Sequence, residues 1–137
     1  MGTVYADITI KNAGDVINVE RGYLDGSDIR ETMVSAIVDT GAGTLVISEE
    51  IREKLGLGIK GIRQATLANN YKETCKIAEP VEIIWKNRSS VCQPLVVSGA
   101  DEVLLGAIPL EDMDLIVDPA KQELIGRHGD EVVTMIL

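Results

Sequence analysis

The chain has 137 residues, 45% of them hydrophobic, which suits a single domain (1–137) with a real core and excludes a disordered chain. Aromatic residues make up 3% and Phe is absent, so the core is expected from Val, Ile and Leu, a composition that favours strands. Lys and Arg number 13 against 22 Asp and Glu, and the net charge of −9 argues against a nucleic-acid partner and against an anionic membrane surface.

No apolar run is long enough to span a bilayer. The first residues, Met1 to Asp7, lack a basic stretch followed by an apolar one, so no signal peptide is read there and a cytoplasmic location is expected. Cys75 and Cys92 are then expected as reduced thiols, and their spacing is far from a metal-binding pair. A disulfide between them stays open if their strands are adjacent. No His–Cys cluster points to zinc, and no cofactor is expected.

Residues 3–10 alternate, with Val4, Ala6, Ile8 and Ile10 on one side, which predicts a half-buried strand. Asn12 to Asp15 reads as a turn and Val16 to Glu20 as a second strand, followed by a loop at 24–28. Residues 29–38 form a strand that delivers Asp39, and Thr44 to Ile47 continue as a short strand. Ser48 is placed to cap a helix whose first turn holds Glu49 and Glu50, and Gly56 to close it. Residues 63–67 and 72–77 are strands joined by a turn at Ala68-Asn69-Asn70-Tyr71, since Asn tolerates a positive φ. Residues 81–85 and 91–97 are expected to pair around a loop at 86–90. A buried strand end at Glu102 to Gly106 precedes a helical turn with Pro109 early in it. Residues 115–117 and 122–125 are strands, and the apolar tail 131–137 reads as strand-like.

The stretch Ser35-Ala36-Ile37-Val38-Asp39-Thr40-Gly41-Ala42-Gly43 places an ionised carboxylate directly after a buried strand. Such a group is costly unless something uses it. Gly41 and Gly43 allow a sharp turn, so the strand presents one carboxylate at its tip. A strand-ending Asp before Thr-Gly can also simply cap a turn.

Asp39-Thr40-Gly41-Ala42 resembles the active-site signature of the retropepsin-like aspartic proteases. Val103-Leu104-Leu105-Gly106-Ala107-Ile108-Pro109-Leu110 resembles the family's second feature, an apolar pair and Gly leading into a short helix. The likeness spans residues 30–125. It implies a mainly β fold: a closed β-barrel with one or two short helices, a flap hairpin and a two-fold homodimer.

The same resemblance implies an aspartic endopeptidase acting on peptides or proteins, of the single-domain bacterial or archaeal type. Asp39 would be the catalytic carboxylate. Thr40 would hydrogen-bond across the dimer, Gly41 would offer its carbonyl to the substrate, and Ala42 completes the loop. Ala68, Asn69 and Asn70 match the flap tip, where bacterial relatives often carry Ala-Asn-Gly, so Asn70 is a mild departure. Leu104, Leu105 and Gly106 would pack behind the active-site loop. Such enzymes activate water between two carboxylates that share one proton. The chain has one Asp-Thr-Gly, so the mechanism demands two copies. The terminal strands, residues 131–137 among them, are candidates for the dimer sheet. Retroviral members pair an Asp straight after Asp-Thr-Gly-Ala with an Arg straight after the later Gly. Here Gly43 and Ala107 stand there, so both partners are missing together and no charge is stranded.

Other motifs are weaker. Gly56-Leu57-Gly58-Ile59-Lys60-Gly61 matches a dinucleotide fingerprint, but a helix precedes it and a strand follows, the reverse of the required context. His128, the sole His, sits in a Gly-flanked polar loop and reads as solvated. Trp85 on an alternating strand reads as core. Leu105 and Val38 are read as pocket residues favouring apolar side chains beside the cut. A binding module on the same fold, without turnover, is the alternative to the enzyme.

Overall fold

The computed structural model describes residues 2–66 and 69–136. Strand β1 (Tyr5–Asn12) buries Ala6, Ile8 and Ile10 along one face, with Val4 buried just before it, as the alternation predicts. It lies antiparallel to β2 (Glu31–Val38), with Ile8 opposite Val34 and Tyr5 opposite Ile37. Its other edge pairs with β6 (Val81–Trp85), Ile10 facing Ile83. This three-strand centre holds the frame from which Asp39 emerges.

The segment after β1 departs from expectation. Residues 13–20 are not a turn and a strand but helix α1 (Ala13–Glu20). The reason is a cap. The Asn12 side chain accepts the Asp15 amide (3.0 Å) while its own amide donates to the Leu55 carbonyl (2.8 Å). Asp15 lies in the first turn, where the helix dipole favours a carboxylate. That carboxylate is nearly buried and accepts from the Arg30 amide (3.0 Å), Nε (2.9 Å) and Nη2 (2.9 Å).

Arg30 therefore holds the Asp15 carboxyl below its ordinary range, its side-chain hydrogen bonds outweighing the upward push of burial. A carboxylate with a lowered folded pKa stabilises the fold above its unfolded value of 3.8, and that stability is lost as pH falls through the lowered one. Asp15→Ala is expected to cost about 2 kcal/mol at neutral pH, the low side for a buried pair because the Arg30 head is half exposed to water. Urea melts at pH 7 and below pH 4 check this. The gap between wild type and variant narrows in acid.

The rest of the chain completes a curled sheet. Its further strands are β3 (Val46–Ile47), β4 (Ile59–Thr66), β5 (Lys72–Ala78), β7 (Arg88–Cys92), β8 (Leu95–Val96) and β9 (Leu104–Leu105). The strand order is β4-β5-β8-β3-β9-β2-β1-β6-β7. β4 and β7 are its edges, so the sheet is a half-barrel and the expected closed barrel is not seen within one chain. A separate hairpin joins β10 (Leu115–Asp118) to β11 (Glu123–Gly126). Helices α2 (Glu49–Lys54) and α3 (Ala107–Asp112) bring the described α-helices to three, one more than expected, beside a single 3-10 turn at Gly26–Asp28. Ser48 caps α2 through the Ile51 amide (3.2 Å), and Gly56 follows its end at φ +63°, as the sequence predicts.

The β6–β7 hairpin is tighter than expected. Its loop is Lys86-Asn87, Trp85 already pairs with Arg88, and the chain then leaves at Pro94 so that β8 joins β3 and β5 instead. Buried Arg88 explains the early return. Its guanidinium donates to the carbonyls of Met113 (3.0 Å), Asp114 (3.1 Å) and Gly129 (2.6 Å).

Ile10, Leu45, Ile47, Leu55, Leu57, Ile83, Leu105 and Met113 form the centre of the core, with Trp85 at its margin. Cys75 and Cys92 are free, and burial raises both thiols. The tail is not the strand expected of it. Among the described residues 132–136 no ladder forms, and Met135 and Ile136 are 86% and 92% exposed. No described helix is long and apolar enough to cross a membrane.

Candidate active site

The end of β2 is held from both sides. The Val38 amide donates to Val4 (2.9 Å), and the Ile37 and Asp39 amides donate to Val103 (2.8 Å) and Leu105 (3.0 Å) across the parallel β2–β9 pair. The chain then turns at once. The Ala42 amide returns to the Asp39 carbonyl (3.1 Å), and the Gly41 amide donates to Asp39 Oδ1 (2.9 Å). The carboxylate is thus fixed by its own loop, half-buried at a strand tip.

Gly106 locks the loop from behind. A Cβ there would stand 2.3 Å from the Thr44 oxygen and 2.6 Å from the Ala42 oxygen. Beyond it, the Ala107 amide donates to Ala42 (2.8 Å) and the Ile108 amide to Gly43 (3.0 Å). Backbone bonds therefore tie the two segments at the positions where an ion pair is missing.

Asp39, Gly41, Ala42 and Gly43 line one side of an open cleft of about 890 Å³. Val46, Leu95, Val97 and Leu104 form its apolar wall, Ala65 and Thr66 contribute from the β4 end, and Ala100, Asp101 and Glu102 complete the rim. Val38 is not among the residues found lining the cleft, and neither is Leu105, contrary to expectation. Leu105 is fully buried, because adjacent strand residues point to opposite faces and Leu104 takes the cleft side. Thr40 is exposed beside the cleft.

The β4–β5 hairpin has its tip where expected. Asn69 Oδ1 accepts the Tyr71 amide (3.1 Å), and Asn70 adopts φ +67°, the conformation that a Gly would otherwise supply. Ala68 lies outside the described residues. Asn69 and Asn70 are exposed and are not among the residues found lining the cleft.

Sequence reasoning missed the rim residues Asp101 and Glu102, whose only signal is their place just before the Val103-Leu104-Leu105-Gly106 element. It also missed a polar knot away from the cleft. His128 is no free loop histidine: its Nδ1 lies 2.6 Å from Oδ2 of buried Asp114, which also accepts the Val133 amide (3.0 Å). The His128 hydrogen bond is the main reason that the Asp114 carboxyl sits below its ordinary range.

No protein-family model matches the chain, and no curated protein does. Solved structures do resemble it. The retroviral protease-like domain of Ddi1 from Leishmania major is 12% identical with a TM-score of 0.56, over 98% of this chain and 91% of that one. A retropepsin-like aspartic protease from Rickettsia conorii is 18% identical with a TM-score of 0.52, over 85% and 77%. EIAV protease, solved with the inhibitor HBY-793, is 20% identical with a TM-score of 0.51, over 81% and 88%. These likenesses show a retropepsin-like fold.

Proposed function

We propose that the chain is an aspartic endopeptidase that works as a homodimer. The observation that carries this is Asp39 at the wall of the cleft, with one carboxylate oxygen held by the Gly41 amide in a loop braced by Gly106. Its second oxygen makes no hydrogen bond among the described residues, and in this reading it is the one that faces water. Two copies of Asp39 brought together cannot both stay ionised, so they share a proton. The ionised member takes a proton from water while the protonated member donates to the scissile carbonyl. Thr40 hydrogen-bonds across the two-fold axis, and the Gly41 carbonyl takes a substrate amide. In this reading Asn69 and Asn70, at the tip of the β4–β5 hairpin, belong to a flap that closes over the peptide.

The unpaired apolar tail supports the dimer. Val132, Val133, Met135 and Ile136 are exposed in one chain, and a second copy gives them strands to pair with. The half-barrel and its partner then build the closed assembly. The free cysteines accord with a reducing compartment, which we take to be the cytoplasm.

Digestion of an unstructured peptide library from acidic to neutral pH tests the reading. Cleavage per chain is expected to rise with protein concentration and then level off, following the dimer fraction in sedimentation. Cleavage that is independent of concentration where the chain is monomeric overturns the dimer. A folded dimer that binds peptides without cutting any points to a binding module instead.

A further inference from the structure

The cleft offers a peptide an apolar wall and one sign of charge. Its charged lining residues among those described are Asp39, Asp101 and Glu102, all acidic, and no Lys or Arg lines it. Asp101 and Glu102 are exposed, and neither is in an ion pair among the described residues. The backbone fixes where they stand. Gly99 turns the chain at φ +77°, and the Ala100 amide closes that turn on the Val97 carbonyl (3.2 Å). On the other side Val103 is buried, its carbonyl accepting the Ile37 amide (2.8 Å). Between these anchors, Asp101 and Glu102 are held on the rim beside Val97 and Leu104.

We propose that Asp101 and Glu102 are specificity determinants that select peptides carrying Lys or Arg next to an apolar segment. The apolar residues pack on Val46, Leu95, Val97 and Leu104, and the long basic side chain lays its methylenes along that wall with its head at the rim carboxylates. An acidic residue in the same place meets like charge, so the rim rejects as well as attracts. For turnover this rests on the protease reading. For binding it does not.

Fluorescence anisotropy at low salt tests it with two labelled peptides that share an apolar centre and differ only in flanking Lys or Glu. The full chain bearing Asp39→Asn is used so that binding is not confounded by cutting. The Lys peptide is expected to bind about tenfold more tightly, built from two exposed carboxylates of modest individual worth. In the background of Asp101→Asn with Glu102→Gln the gap is expected to shrink below about threefold, with melting unchanged because both side chains are exposed. A gap that persists in that variant assigns the preference to the remaining overall negative charge of the chain and overturns the proposal. Equal binding of the two peptides, or no binding of either, overturns it as well. If the Lys peptide is preferred but wild type cuts neither peptide, charge selection stands and the protease reading fails.

Discussion

Asp39→Asn is expected to lower kcat/KM by at least about 10³-fold on any peptide that the wild type cuts. Asn can neither take a proton from water nor give one to a carbonyl oxygen, and in a homodimer the one substitution removes both carboxylates. About 4 kcal/mol of transition-state stabilisation disappears on that scale. The fold is expected to survive, because Asn keeps an oxygen that can accept the Gly41 amide now bound to Oδ1. The melting temperature and the sedimentation profile should therefore match wild type. Asp39→Ala is the informative contrast. It loses that turn hydrogen bond too, at about 1 kcal/mol, so it is both inactive and less stable. Undiminished cleavage by Asp39→Asn would remove Asp39 from the chemistry altogether.

What the sequence made legible was what short-range chemistry controls. The alternation of Val4, Ala6, Ile8 and Ile10, the cap at Ser48 and the left-handed turn at Asn70 each rest on residues a few positions apart. Asp39 and Gly106 lie far apart in the chain, yet each stood in its own short motif, and β2–β9 pairing brings the two motifs together.

The misses are interactions whose partners are distant. Helix α1 has a local cap, Asn12 to the Asp15 amide, but what anchors it is Asn12 reaching Leu55 and Asp15 meeting Arg30, and no window of a few residues contains either pair. The β6–β7 turn depends on Arg88 finding carbonyls at 113, 114 and 129. His128 looked solvated because Asp114, its partner, sits 14 residues back. The cleft suffers most from this. Its wall is assembled from the Asp39 loop, β3, the end of β4, β8 and the loop before β9, so its acidic rim could not be seen before those segments were placed.

Gly106→Ala is expected to be the most damaging single-methyl change near the site. The backbone at Gly106 has φ −92°, which any residue adopts, so torsion is not the obstacle. Space is. The added carbon would face the Thr44 oxygen at 2.3 Å, the Ala42 oxygen at 2.6 Å and the Thr44 nitrogen at 2.7 Å, and all three are backbone atoms with no rotamer to yield. Relief requires the Asp39 loop and the start of α3 to part by about 1 Å, well off the van der Waals optimum they now occupy. That movement strains the bonds from the Ala107 amide to Ala42 and from the Ile108 amide to Gly43. A cost of about 3 kcal/mol follows, at the upper end for overpacking. Because the shift also displaces Asp39, surviving folded protein should lose about 100-fold in kcat/KM, the scale for a misplacement of that size. Gly43→Ala is the control from the same loop. A Cβ at Gly43 meets nothing within 4 Å, so its stability should stay within about 0.5 kcal/mol of wild type. Denaturant melts of the two variants side by side decide the matter. Equal, small losses would mean that the loop yields freely at Gly106 and that nothing behind Asp39 holds it in place.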